Sequence, residues 1–351
     1  MSKETLIVLY GGRSAEREVS VMSATNVVAA IDYDKFNVKT YFIRQNGDFI
    51  QGPRFNSQPS PEMKLLDEDS SADHEKIQPS AIYEEGAVVF PVLHGPMGED
   101  GSIQGFLEIM KLAYVGPGIL SAAATMDKIL SKEIFSSLGI PQVPYVAIYP
   151  GQDFVKAEEE VNAKLNYPVF VKPANMGSSV GITKVDEAGE LRSALDLASK
   201  YDDRIVVEEG VVNPHEVECA ALGNSEVKIT LPGEVANSNP SAFYDYDEKY
   251  NNNALTIDVP AKIAPELVEE IRHYAELAYK GVAGRGLSRC DFFVDAENNI
   301  YLNEINAIPG FTAFSMYPML WENMGLSTTD LLTELVELAK EAFENREAHL
   351  L

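Results

Sequence analysis

Short apolar runs of strand length alternate with helix-spaced stretches from the first residues onward. Leu6-Ile7-Val8-Leu9-Tyr10 is a continuous apolar run closed by Gly11-Gly12. Apolar positions then recur at helical spacing from about Val19 to Ile31, and Phe36 to Ile43 reads as a second strand. Strand, glycine turn, helix and strand predict a βαβ unit of an α/β layer. Ala87 to Leu93 predicts a third buried strand. It ends in His94-Gly95-Pro96-Met97-Gly98-Glu99-Asp100-Gly101, and a helix follows from Ser102 to Met110. Ligands bind beyond the carboxyl ends of strands in such sheets, where Gly11-Gly12 and His94-Gly95 both stand. Residues 44–83 are rich in Pro, Ser, Asp and Glu and lack a period. They predict a surface excursion with a hairpin at Asn46-Gly47.

The second half changes character. Ser121 to Leu138 reads as one helix carrying Lys128 and Lys132, and Gly139-Ile140-Pro141 ends it at a boundary. Val169 to Pro173 is a strand, followed by the loop Ala174 to Gly181. A helix over about Glu187–Lys200 and strands at Ile205–Glu209 and Glu216–Leu222 complete an α+β unit. Asn237 to Asp258 is polar and aromatic without a clean period, which suits an ordered functional loop. Ala264 to Gly281 is an amphipathic helix with Pro265 in its first turn. Arg289–Val294 and Ile300–Asn303 are strands joined by the turn sequence Asp295 to Asn299. A last helix over about Thr328–Glu344 carries an apolar stripe at Leu331, Leu332, Leu335 and Leu338, with Ser327 and Asp330 as its capping pair.

The 351 residues exceed one ordinary core, so the expected fold is multidomain, α/β followed by α+β. Hydrophobic content of 45% with 23% charged residues is that of a globular chain. The net charge of −26 excludes bulk attraction to nucleic acid or anionic lipid. A polyphosphate must therefore be held locally, by placed lysines, backbone amides and metal ions. No apolar run of about 18 residues predicts membrane insertion. The first residues carry no signal-peptide pattern, and two cysteines suggest no disulfide framework, so the expected location is cytoplasmic.

Four groups of residues carry candidate chemistry. Glu304 and Asn306 lie two apart on a strand, so they share a face, and the hairpin brings Asp291 opposite them. Their oxygens suit Mg²⁺ bridging nucleotide phosphates, although three solvated residues on a hairpin would look the same. Lys172 ends a buried strand and needs an anion there, and Gly177-Ser178-Ser179-Val180-Gly181 offers backbone N–H groups for a phosphate. There is no Walker A sequence. Glu16 enters a helix at a sheet rim and suits either a substrate ammonium or solvent. Arg289 shares a face with Asp291, where it can stabilise a developing oxyanion or simply pair with the acids. His94 suits both a substrate contact and a structural hydrogen bond. Cys290 alternates to the core face, and Met176, Met316 and Trp321 suit packing.

Taken together, these motifs resemble the ATP-grasp superfamily and, within it, the D-alanine–D-alanine ligases. The resemblance rests on Gly11 to Ser20, His94 to Gly101, Met126-Asp127-Lys128, Val171-Lys172-Pro173 and Gly177 to Gly181. It continues through Phe243-Tyr244-Asp245-Tyr246 with Lys249-Tyr250, Arg289-Cys290-Asp291, and Asn303 to Asn306 with Pro309-Gly310. It implies an ATP-grasp fold behind an N-terminal Rossmann-like domain, divided as 1–122, 123–222 and 223–351 with a mobile loop at 237–258. It implies that Lys128, Lys172 and Ser179 hold ATP phosphates, with Lys249 reaching the γ-phosphate. Glu208 and Val211 would flank the adenine and Glu216 the ribose. Asp291, Glu304 and Asn306 would bind two Mg²⁺, for which Mn²⁺ can substitute. Glu16 would take the ammonium of the first D-alanine, tied to Ser178 and Tyr250. His94 would contact substrate. Ser315 and the Met316 backbone would take the second carboxylate, and Arg289 with the Gly310 amide would form the oxyanion hole. A homodimer is also implied. Met176 and Phe314 depart from some relatives, which carry Glu and His there. The rivals are a D-alanine–D-lactate ligase, disfavoured by Tyr250, and a non-catalytic ATP-binding regulator, which would have lost ligands.

Overall fold

Aliphatic and β-branched runs form three sheets in the computed structural model, which describes residues 3–237 and 255–349. The first sheet holds β1 (Glu4–Gly11), β2 (Phe36–Ile43), β3 (Phe49–Phe55), β4 (Lys76–Ile77), β5 (Val88–Val92) and β6 (Ala113–Tyr114), ordered β4-β3-β2-β1-β5-β6. Strands β2, β1, β5 and β6 are parallel, and β3 and β4 are added antiparallel at one edge. The hairpin at Asn46-Gly47 is present: Gly47 N–H donates to the Arg44 carbonyl at 2.9 Å. The rest of the excursion is tied down by the Arg44 guanidinium, which donates to the Ser71 carbonyl and to Ser71 Oγ.

Helix α1 (Arg17–Ala30) packs on one face of this sheet and α2 (Ser102–Ile109) on the other. The expected single helix over 121–138 is instead two, α3 (Ile119–Met126) and α4 (Lys128–Ser137). Asp127 leaves the helix at φ −84°, ψ 106°, and its Oδ1 accepts the Leu130 N–H at 2.9 Å. It caps α4, and Arg204 Nε holds it at 2.6 Å. Hydrophobic spacing cannot reveal such a break, because both helices keep their apolar side inward. The expected divisions at 122/123 and 222/223 fall inside α3 and near the end of a strand of the third sheet.

The second sheet, β7-β10-β8-β9, is antiparallel: β7 (Tyr145–Ile148), β8 (Val169–Pro173), β9 (Thr183–Val185) and β10 (Ile205–Glu209). Helices α5 (Phe154–Lys164) and α6 (Leu191–Ala198) cover one face. The third sheet runs β14-β13-β11-β15-β16, with β12 beside β11. Its strands are β11 (His215–Gly223), β12 (Val227–Ile229), β13 (Gly233–Asn237), β14 (Leu255–Asp258), β15 (Gly286–Val294) and β16 (Ile300–Asn306). Helix α7 (Pro265–Gly281) buries Ile271, Ala275 and Tyr279 against Cys219, Cys290 and Phe292 of this sheet. Cys219 and Cys290 are cross-strand neighbours, both buried and free.

The chain then returns to the first sheet. Helices α8 (Met316–Asn323) and α9 (Thr328–Ala348) bring Trp321, Leu331 and Leu335 into one core with Leu6, Val8 and Tyr10. Ser327 Oγ accepts the Asp330 N–H at 3.1 Å and caps α9 as expected. This core joins the chain's two ends, so the loops above the first and third sheets face each other.

Candidate active site

Loops and strand ends from all three sheets surround one cleft of about 490 Å³. The first sheet contributes Glu16 and His94, and the second brings Lys172, Ser178, Ser179, Glu208 and Val211 with Lys128 from α4. Glu216, Arg289, Glu304, Asn306 and Gly310 come from the third sheet and the loop after it. Asp291 lies behind Arg289, and Ser315 and Met316 begin α8 beside Gly310. Lys249 and Tyr250 lie outside the described residues.

At one wall, β15 alternates. Cys290, Phe292 and Val294 enter the core, while Arg289, Asp291 and Phe293 turn outward. Asp291 stands opposite Glu304 and Arg289 opposite Asn306. The register then slips between Asp291 and Phe292, which leaves Asn303 as a bulge. A bulge re-aims a side chain, and Asn303 Oδ1 accepts from Lys172 Nζ at 3.5 Å. Arg289 donates to both Asp291 oxygens at 2.7 Å, and its Nε lies 2.9 Å from Glu218 Oε2. Asn306 Nδ2 donates to Asp291 Oδ2 at 2.9 Å, and Glu304 lies 3.6 Å from Lys128 Nζ. No three His, Cys, Asp or Glu side chains converge as a metal site among the described residues. Two carboxylates and an amide are nonetheless hard oxygen donors, and Mg²⁺ typically completes its shell with phosphate oxygens and water. The donor set fits a metal that arrives with a nucleotide.

The opposite wall is made of lysines. Lys172 Nζ lies 2.5 Å from Glu208 Oε2, and Lys132 Nζ lies 2.7 Å from Glu208 Oε1. Burial alone would raise the Glu208 carboxyl, but the two ammonium groups outweigh it and bring it down to about 2. Lys128 Nζ donates to the Met176 carbonyl at 2.8 Å, at the start of the Gly-Ser loop. Ser178 and Ser179 sit in the left-handed region, at φ 49° and 59°. Phe170, Phe293 and Val143 supply apolar surface beside these charges.

The third side surrounds Glu16. Ser178 Oγ donates to its carboxylate. A Cβ at Gly177 would stand 2.8 Å from Glu16 Oε2, and one at Gly95, which has φ +70°, would collide with it. Both glycines are there because the carboxylate passes between two loops. Glu99 accepts the Gly95 N–H at 2.6 Å and the Ile308 N–H at 3.2 Å. Burial, and then the neighbouring Glu16 carboxylate, push Glu99 up to about 8. His94 Nε2 is 3.3 Å from Ser23 Oγ, and burial holds the imidazole down at about 4, with the Arg289 charge adding to it. It combines a structural hydrogen bond with a place in the cleft wall.

Residues 5–117 match the family described as D-ala D-ala ligase N-terminus, and residues 134–337 match D-ala D-ala ligase C-terminus. The chain is 61% identical to the D-alanine–D-alanine ligase of Lactococcus lactis subsp. cremoris (strain MG1363), across the whole of both chains. The chain belongs to the D-alanine–D-alanine ligase family. The enzyme of that name from Streptococcus pneumoniae serotype 2 (strain D39 / NCTC 7466) is 58% identical over 99% of this chain and all of its own. The D-alanine-D-alanine ligase structure from Coxiella burnetii superposes with a TM-score of 0.84 at 32% identity, covering 99% of this chain and 97% of that one. The VanG D-Ala:D-Ser ligase of Enterococcus faecalis gives 0.80 at 34%, covering 96% and 100%. These are ATP-grasp neighbours, and they establish the multidomain α/β architecture.

Several groups in the cleft wall or directly behind it are not among the sequence expectations. Phe170, Phe293 and Glu218 had a signal, since each lies two residues from a singled-out position on a strand, Lys172, Asp291 and Glu216 in turn. Glu99 and Asn303 had none of that kind. Their roles arise from contacts such as Glu99 to Ile308, or from the bulge in β16. Ser23 Oγ accepts the Phe311 N–H at 3.1 Å, which ties α1 to the loop carrying Gly310 across 288 positions.

Proposed function

We propose that the chain joins two D-alanine molecules into D-alanyl-D-alanine, converting ATP to ADP and phosphate, in peptidoglycan precursor synthesis. The observation that carries this reading is the shared cleft. Glu16 with Ser178, the lysine wall and the Arg289 wall all open onto it. Family membership supports ATP use.

A carboxylate is a poor acyl donor because its leaving group would be oxide. Phosphorylation by ATP gives an acyl phosphate, whose leaving group is phosphate. Glu16 binds the ammonium of the first D-alanine, and the bond from Ser178 fixes that carboxylate. Lys128, Lys172 and Ser179 hold the phosphates, with Lys249 at the γ-phosphate. Glu208 and Val211 border the adenine and Glu216 the ribose, beside Phe170 and Phe293. Asp291, Glu304 and Asn306 would hold Mg²⁺, two per site with Mn²⁺ as a substitute, which neutralises phosphoryl charge when bound. Ser315, whose Oγ accepts the Thr312 N–H at 2.8 Å and so is held at the start of α8, takes the second carboxylate with the Met316 N–H. The second amine attacks the acyl carbon, and Arg289 with the Gly310 N–H meets the oxyanion. His94 lines the first subsite, and Tyr250 completes the group at Glu16. The three-part division of the chain, a homodimer and a cytoplasmic location belong to the same reading. No helix among the described residues is long and apolar enough to cross a membrane.

The test is incubation with Mg-ATP and D-alanine, alone or with D-lactate or D-serine, following phosphate release and product mass. D-Alanyl-D-alanine as the main product supports the reading. No turnover with D-alanine sinks it, and a main mixed product transfers it to a D-lactate or D-serine ligase.

A further inference from the structure

Lys132 is the most deeply buried charge beside the cleft. Its side chain is 1% exposed, against 4% for Glu208 and 11% for Lys172. It does not line the cleft, so no substrate reaches it. Lys128 and Lys132 are one turn apart on α4, and only Lys128 opens onto the cavity. The Lys132 ammonium lies 2.7 Å from Glu208 Oε1, as an ion pair rather than an aligned hydrogen bond, and 5.3 Å from the Tyr145 ring centre. Glu208 therefore sits between two lysines, one sealed and one facing the ligand.

Filling space does not account for this choice. Burying an ammonium is costly even when it is paired, and an apolar residue of similar volume would fill the site at less cost. What the ammonium adds is charge. With Lys132 present, the three groups sum to one positive charge. Without it, Glu208 and Lys172 form a neutral pair, and the cleft-facing lysine is cancelled by its own partner.

We propose that Lys132 is a positioning residue that occupies one side of Glu208 and so leaves the charge of Lys172 available to a nucleotide phosphate. The inference rests on the nucleotide reading of the cleft given above. Lys132 acts through Glu208 and touches no substrate.

The test compares binding of ATP and of adenosine, which lacks phosphates, to the full-length chain by calorimetry. The wild-type chain binds ATP more tightly than adenosine. K132M leaves a paired, neutral Glu208–Lys172 and keeps its fold by circular dichroism. Its ATP binding weakens about tenfold or more, as expected for one charge lost at short range in a partly buried site, while adenosine binding is unchanged. K132M/E208Q removes the sealed lysine and the carboxylate together, and the ATP-to-adenosine ratio returns toward the wild-type value. An unchanged ratio in K132M, or equal weakening of both ligands, overturns the proposal. So does a double variant whose ratio is no better than that of K132M. If K132M does not fold, the double variant decides by itself: a near-wild-type ratio supports the proposal and a tenfold lower one overturns it. A wild-type chain with no preference for ATP overturns the nucleotide reading itself, an outcome distinct from a null result in K132M.

Discussion

The two charged walls of the cleft are built on the same plan with opposite signs. On the third sheet, one arginine lies between two carboxylates, Glu218 and Asp291. On the second, one carboxylate lies between two lysines, Lys132 and Lys172. Each central group cancels one neighbour, which leaves a negative remainder at Arg289 and a positive one at Glu208. Buried pairs that cancelled fully would stabilise little. The uncancelled charge is what a ligand meets, so one wall suits metal cations and the other suits phosphate. A net charge of −26 forbids a broad basic surface, and a small buried cluster of fixed sign solves that problem without one.

The comparison breaks most visibly at the acidic wall. Glu304→Gln removes one negative charge near Lys128 with little change in shape, and turnover is expected to fall on the order of a thousandfold. Steady-state kinetics beside an unchanged circular dichroism spectrum check this. Retained activity would remove Glu304 from the metal set. Arg289→Met strips the central charge and leaves Asp291 and Glu218 facing each other. Breaking a buried cluster from one side costs about 3–5 kcal/mol, which urea unfolding measures. Leu335→Ala serves as the reference away from both walls. It opens the core between α9 and the first sheet at a cost of about 3 kcal/mol, read from the urea midpoint, with kcat/KM of the folded chain unchanged.

The remaining effect is the dependence on pH. Glu208 has its carboxyl lowered from 4.5 to about 2, so the folded state binds fewer protons than the unfolded chain between those values. Its contribution is fully present above pH 4.5 and is lost as pH falls through 2. Glu208→Gln is expected to flatten this part of the acid-unfolding curve. An equally steep curve in the variant would mean that the lysine wall does not hold Glu208 ionised.

How much of this was legible in the chain follows from the range of each signal. Local patterns were enough for β2, found at Phe36–Ile43 as expected, and for the alternation on β15 that sends Cys290 inward and Arg289 and Asp291 outward. They also gave Glu304 and Asn306 a common face. They failed where a single residue overrides a period, as Asp127 does in splitting the helix over 121–138, and where a bulge adds Asn303 to the cleft side. Whole elements such as β7, α5 and α8 were not anticipated. Glu99 was visible as a residue but not as a clamp, because its partner Ile308 is 209 positions away. The substrate could not come from metal ligands or lysines at all. It came from the resemblance carried by the Glu16 and Lys249-Tyr250 motifs, and the first of these is met in the structure by Ser178.

The most direct test of the account is the fate of the carboxylate oxygen. D-Alanine labelled with ¹⁸O in its carboxyl group is turned over with Mg-ATP, and the released phosphate is analysed by mass. Activation through an acyl phosphate predicts one ¹⁸O transferred to phosphate for each dipeptide formed, because the attacking oxygen leaves with phosphorus. Phosphate released with no label, alongside normal dipeptide yield, would contradict it.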